Sequence, residues 1–156
     1  MWWAKLALEQ AVDCLATKLV HPVSWYINCA GYAFDVDGWY TPFNEDEDIW
    51  QMYHDAQQTS NWEGLEDELV SRILRDFPDW DLASGELMGE REYVAFRIRR
   101  TPFFSDFHFM KYDGVKWTEK HGHNPVSKEW FKLEDIYEPE AWDVYDGTIF
   151  ILEKKS

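Results

Sequence analysis

The chain has a helical pattern of apolar and polar positions in its first half and a β-like pattern in its second half. Apolar side chains recur at intervals of three and four residues from 2 to 19, which predicts an amphipathic helix that ends before His21 and Pro22. Three further helices are predicted. They run from Cys29 to about Val36 after a capping Asn28, across F-N-E-D-E-D-I-W-Q-M-Y-H with Asn44 as the cap, and from 62 to 77 before Pro78.

Strand patterns begin at Glu92. The segment E-Y-V-A-F-R-I-R-R alternates and is rich in β-forming residues, and a turn is expected at Thr101-Pro102. Asp113-Gly114 separates two further alternating runs, which predicts a β-hairpin. A last strand is expected at D-G-T-I-F-I-L-E-K, with a loop at 79 to 89 and a short helical piece at 127 to 135. Helices followed by strands predict an α+β fold, with N-terminal helices packed on a small antiparallel sheet.

The hairpin predicts a pairing of two polar side chains. If Asp113 and Gly114 are the central residues of a two-residue turn, opposed residues have numbers that sum to 227, so His108 faces Glu119. A carboxylate that accepts the imidazole N–H fixes the tautomer and leaves the other ring nitrogen to act as a base. An ordinary cross-strand polar pair is the alternative, and His121 could replace Glu119 if the hairpin is slipped or bulged. The face predicted to be buried carries His108, Met110, Tyr112, Val115, Trp117 and Glu119.

Cys29 is a candidate nucleophile because it occupies the first turn of a predicted helix. The unpaired N–H groups and the positive dipole end at that position favour a thiolate. Packing this helix against the strand of His108 would bring a nucleophile and its base together. Gly31 is expected to allow a close approach of helix and sheet. The candidate substrate-binding residues are Tyr32, one turn after Cys29, and Trp39 and Tyr40, which follow the helix.

Length and charge limit the domain count and the partners. The 156 residues suffice for one domain, 1–156, with a buried core that needs no disulfide bonds. The formal net charge of -15 repels phosphate backbones and therefore disfavours direct binding of nucleic acid. An acidic surface suits a basic host protein as partner, or mimicry of DNA by a phage-type inhibitor, although a merely well-solvated surface is the alternative.

Motifs for cofactors and export are missing from the sequence. Cys14 and Cys29 are too few for a disulfide framework, and no zinc spacing, calcium loop or glycine-rich phosphate loop occurs, so no metal and no cofactor is expected. The N-terminal segment has neither a basic leader nor a membrane-spanning run. A cytoplasmic protein with reduced thiols, not bound to a membrane, is the expectation.

Two motifs resemble those of known cysteine peptidases. N-C-A-G-Y at 28 to 32 resembles the nucleophile motif [D/N]-C-[S/A]-G-[F/Y] of the NlpC/P60 branch of papain-like enzymes, and H-F-M-K-Y-D-G at 108 to 114 is similar to their histidine strand and turn. The same hairpin, with W-T-E-K-H-G at 117 to 122, resembles small bacterial and phage proteins that read N-C-x-x-Y-A, H-F-(Y/M) and W-S-H-K-P-G. The resemblance implies a papain-like core, a nucleophile at Cys29, a base at His108 and a third polar residue on the next strand.

Two functions therefore follow as hypotheses. The first is a thiol hydrolase that acts on a peptide or another amide or acyl bond through Cys29, His108 and either Glu119 or His121. The second is a non-catalytic acidic interaction protein on the same scaffold, which binds a basic host protein.

Overall fold

The structure is a computed structural model that describes residues 27–36, 38–43, 47–100, 106–120 and 126–156. Three predictions lie outside these residues: the helix at 2 to 19, the Asn44 cap and the turn at Thr101-Pro102.

A short helix, α1 (Cys29–Ala33), carries the candidate nucleophile. The Asn28 side chain accepts a hydrogen bond from the Gly31 N–H at 3.0 Å, which confirms the predicted cap. The helix ends earlier than Val36, with Phe34 as its C-cap and Asp35 at φ 56°. An aspartate tolerates this left-handed conformation better than most residues, and it turns the chain out of the helix.

Two longer helices cover one face of the sheet. They are α2 (Glu47–Thr59) and α3 (Glu63–Asp76), each with two acidic residues in its first turn, where the helix dipole favours negative charge. Each has one apolar face, as the periodicity predicts. The buried positions are Ile49, Tyr53 and Ala56 on α2 and Leu65, Glu66, Leu69, Val70 and Ile73 on α3.

The described strands form one six-stranded antiparallel sheet in the order β1-β6-β2-β3-β4-β5. Helices and an antiparallel sheet confirm the α+β class. The strands are β1 (Trp80–Leu82), β2 (Tyr93–Arg99), β3 (Asp106–Tyr112), β4 (Trp117–Lys120), β5 (Val126–Trp130) and β6 (Phe150–Lys154).

Two segments differ from their predictions. The loop expected at 79 to 89 contains β1, which pairs with β6. The helical piece expected at 127 to 135 is β5, paired with β4, followed by a 3-10 helix at Leu133–Tyr137. Both are short strands at the edges of the sheet, where pairing with a neighbour outweighs a weak local pattern.

The hairpin register is shifted by two residues from the predicted one. Met110 pairs with Glu119 and Tyr112 with Trp117, so four residues and not two form the connection. The Asp113 side chain accepts hydrogen bonds from the N–H groups of the residues two and three positions later, at 2.9 and 3.0 Å, which stabilises this longer loop. Val115 lies in the loop and is exposed instead of buried. A shift of two leaves every other side chain on its predicted face.

Both faces of the sheet are buried, whereas one was predicted. Val94, Phe96 and Phe109 pack under the helices. Met110 and Trp117 pack on the opposite face, against Trp142 and the 3-10 helices Leu133–Tyr137 and Pro139–Ala141. The end at which β3 begins is the place where side chains from both faces meet, as described next.

Candidate active site

A cavity of about 490 Å³ lies where α1 and β3 begin. Its wall is formed by Asn28 and Cys29 of α1, the segment 39–41, the residues 106–108 at the start of β3, and Tyr145. Cys29 and His108 thus line the same cavity. Because side chains alternate along β3, His108 lies on one face of the sheet and Phe109 on the other. Phe109 contacts Cys29, so the cavity extends around the end of the strand from one face to the other.

Asn28 fixes one wall of this cavity. Its carboxamide oxygen caps α1, while its Nδ2 donates to the Tyr40 carbonyl at 2.7 Å. Tyr40 is anchored a second time, because its hydroxyl donates to Asp76 at 2.9 Å. One asparagine therefore joins the helix of Cys29 to the loop that follows it.

The Cys29 thiol is free and nearly buried, with 6% of its surface exposed. Burial raises the pKa of Cys29 to about 12. Hydrogen bonds with the backbone of Phe109 and Ala30 and the charge of Lys120 lower this pKa, and the charge of Asp106 raises it. The expectation of a thiolate stabilised by the helix end is therefore wrong, because desolvation outweighs the dipole of a five-residue helix.

His108 is held on three sides. Its Nε2 lies 2.8 Å from Oε2 of Glu119, and both residues are 1% exposed. The Tyr145 ring stacks on the imidazole at 5.2 Å between centroids, and Trp142 meets it edge-on at 6.2 Å. The contact with Glu119 is diagonal, since Glu119 pairs with Met110, and a glutamate is long enough to reach across that distance. His121, the other candidate partner, lies outside the described residues.

Tyr145 lies close to both the histidine and the cysteine, and no sequence pattern singles it out. Its hydroxyl donates to Asp106 Oδ2 at 2.9 Å. Burial raises the pKa of Tyr145, as do the neighbouring charge of Asp106 and that of a Cys29 thiolate. A ring that stacks on His108 therefore lies within electrostatic range of Cys29. Asp106, two positions before His108 on the same face of β3, could have been found from strand periodicity.

The predicted substrate-binding residues lie in two places. Trp39, 56% exposed, and Tyr40 line the cavity. Tyr32 is buried and contacts β4, where its hydroxyl lies 2.5 Å from Thr118 Oγ1. Gly31 permits a close approach, but to a loop and not to the sheet: a methyl group there would overlap the Gly38 carbonyl.

Across the described part of the chain, no cluster of three or more His, Cys, Asp or Glu side chains could hold a metal ion. None of the helices in these same ranges is long and apolar enough to cross a membrane. No protein-family model matches the chain, and no curated protein or solved structure matches it either.

Proposed function

We propose that the protein is a cysteine hydrolase with a papain-like core that cleaves an amide or related acyl bond. The observation that carries the proposal is the shared cavity of Cys29 and His108, in which Glu119 holds the imidazole by its Nε2. A thiol, an imidazole and a carboxylate in this order form a nucleophile, its base and the group that orients the base.

The reaction follows from these groups. His108 Nδ1 takes the thiol proton as Cys29 Sγ attacks the carbonyl carbon, and the electron pair of the C=O bond moves to oxygen. Backbone N–H groups of the first turn of α1 stabilise that oxyanion. The intermediate collapses, the C–N bond breaks, and His108 gives its proton to the leaving amine. Water, activated by His108, then hydrolyses the thioester and releases a carboxylic acid and the thiol.

The resting state is a neutral thiol and not an ion pair. Since burial raises the pKa of Cys29 to about 12, the thiolate is formed only while His108 accepts the proton. Glu119 stabilises the imidazolium that results.

An acyl-transfer experiment tests the proposal without knowledge of the natural substrate. The protein is treated with p-nitrophenyl acetate, nitrophenolate release is followed, and the acylated peptide is located by mass spectrometry. We expect a burst of nitrophenolate and an acetyl group on Cys29 in the wild type and in the matched control Cys14→Ala. Neither is expected in Cys29→Ala, nor in His108→Ala. Acetyl transfer that is unchanged by Cys29→Ala contradicts the proposal.

The second candidate is a non-catalytic acidic protein that binds a basic host protein, in the manner of a phage-type inhibitor or a DNA mimic. The net charge of -15 favours it, and so does the high pKa of the Cys29 thiol. It predicts binding that weakens as salt rises and that is equal in the wild type and Cys29→Ala. Loss of that binding in Cys29→Ala would contradict it.

A further inference from the structure

Lys120 is a buried cation that the proposed reaction does not use. It is the last residue of β4, and 1% of its surface is exposed. Lysine is almost never buried to this extent, because an ammonium group loses its hydration there. A buried lysine beside a reactive group is therefore a feature that requires a role.

The strand register places Lys120 next to the nucleophile. Met110 pairs with Glu119, so the preceding residue of β3, Phe109, and the following residue of β4, Lys120, are neighbours on the helical face. The Phe109 backbone hydrogen-bonds with Cys29. A second contact gives the same alignment of α1 and β4. The hydroxyl of Tyr32, three residues after Cys29, lies 2.5 Å from Oγ1 of Thr118, two residues before Lys120.

The two groups act on each other electrostatically. The positive charge of Lys120 lowers the pKa of Cys29, and a charge on Cys29 raises that of Lys120. Burial is the larger effect on the lysine and lowers the pKa of Lys120 to about 8. Near pH 7 the amine is therefore protonated, and a positive charge lies beside a neutral thiol.

We propose that Lys120 is a positioning residue of the candidate active site, whose buried ammonium group is the counter-charge of the Cys29 thiolate that forms during attack. The inference rests on the proposed function for its role in a reaction, although the effect on the thiol can be measured without a substrate. A cation close to a cysteine stabilises the thiolate, which is the nucleophilic form. His108 removes the proton, and Lys120 stabilises the charge that is left.

Other ionisable groups belong to the elements around Lys120. They are Cys29 and Tyr32 on α1, Asp106, His108, Lys111 and Tyr112 on β3, and Lys128 and Glu129 on β5. Burial raises the pKa of Tyr32, so this hydroxyl stays neutral through the range in which Lys120 titrates.

Alkylation kinetics test the proposal directly. Cys29 is modified with the neutral reagent iodoacetamide between about pH 6 and 10, and its rate is read by mass spectrometry in the wild type and in Lys120→Met. Loss of the Lys120 charge removes one of the interactions that lower the pKa of Cys29, so we expect the rate near pH 7.5 to fall several-fold. Lys120→Arg keeps the charge and should restore most of the rate.

Lys116→Met is the matched control, since Lys116 lies on the same hairpin but pairs with Glu129 at the surface. It should leave the rate unchanged. Equal rates for Lys120→Met and the wild type at every pH would overturn the inference. If Cys29 is acetylated in both the wild type and Lys120→Met, the proposed hydrolase is supported whatever Lys120 does. If Lys120→Met slows alkylation of Cys29 in a protein that is never acetylated there, the electrostatic pair is supported and the hydrolase is contradicted.

A measurement on the wild type covers the case in which Lys120→Met does not fold. The rate of the anionic reagent iodoacetate is divided by that of iodoacetamide, so that the thiolate fraction cancels. A protonated Lys120 attracts the anion, and the ratio should fall as the pH rises through about 8. A ratio that stays constant between about pH 7 and 9.5 would overturn the inference.

Discussion

Two carboxylates of this protein are buried to the same extent and differ in what they bind. Glu66 on α3 and Glu119 on β4 are each 1% exposed. One oxygen of Glu66 accepts from the Arg100 guanidinium, with Nε at 3.1 Å, and the other accepts from the Thr148 N–H at 2.6 Å. Glu119 Oε2 lies 2.8 Å from His108 Nε2.

The chemistry of the partner separates the two sites. Arginine and a backbone amide are permanent donors, so Glu66 can hold α3 against the segment that leads into β6. Histidine changes its charge near neutral pH, and His108 lines a cavity together with a thiol. Burial of a carboxylate therefore does not mark a functional site unless its partner can titrate and can reach a reacting group.

The largest effect is expected from Glu119→Leu, which removes the group that orients His108. The imidazole would lose both its preferred tautomer and the stabilisation of its charged form, so acetyl transfer to Cys29 should fall by about 10² to 10⁴-fold. Nitrophenolate release and mass spectrometry measure this loss.

Glu119→Gln is the matched control because its carbonyl oxygen can still accept the Nε2–H bond. It should lose less acetyl transfer than Glu119→Leu, because the acceptor for the Nε2–H remains and only the negative charge beside the imidazolium is removed. Equal activity of Glu119→Leu and the wild type would mean that Glu119 only fills space. It would contradict the claim that Glu119, unlike Glu66, has a role in the reaction.

Glu66→Leu should show the opposite pattern. It removes the acceptor of the Thr148 N–H and the carboxylate that pairs with Arg100, which keeps its bond to Thr148 Oγ1, so the free energy of unfolding should fall by about 1 to 3 kcal/mol. Acetyl transfer per folded molecule should be unchanged, because none of these groups lines the cavity. Urea unfolding measures the loss.

The control for Glu66→Leu lies on the same helix. Glu68 pairs with Arg72 at 3.0 Å and is 41% exposed, so Glu68→Ala should change stability by no more than about 0.5 kcal/mol. A loss of activity in Glu66→Leu at full folding would place Glu66 in the functional network and erase the distinction between the two carboxylates.

The sequence predicts those elements of the fold that have a long, regular pattern. α3, β2 and β6 follow periodicity and turn residues and are confirmed. β1 and β5 were missed because three and five residues at a sheet edge take their structure from the strand beside them. The hairpin register failed because the Asp113 side chain binds two backbone amides and stabilises a longer loop, which an Asp-Gly pair alone does not reveal.

The candidate site was partly predictable for the same reasons. His108 and Glu119 meet despite the wrong register, since a shift of two preserves the face of a strand. The high pKa of Cys29 was not predictable, because it depends on burial by residues distant in sequence. Strand alternation places Lys120 on the opposite face from Glu119, but its burial depends on residues distant in sequence and is visible only in the folded chain.

The smallest effect is expected at Asn28, which caps α1 and also holds Tyr40 at the wall of the cavity. Asn28→Ala removes the cap of α1 and both hydrogen bonds with the Tyr40 backbone and should cost about 0.5 to 2 kcal/mol. Asn28→Asp keeps an oxygen for the Gly31 N–H and loses only the donor to Tyr40, so most of the stability should return. If the cavity wall at 39–41 binds substrate, both variants should raise KM by the same few-fold factor. The value of kcat should fall in Asn28→Ala, which lacks the cap, and recover in Asn28→Asp, which keeps it. A KM that recovers together with stability would show that the loop is held by the cap and not by the Tyr40 bond.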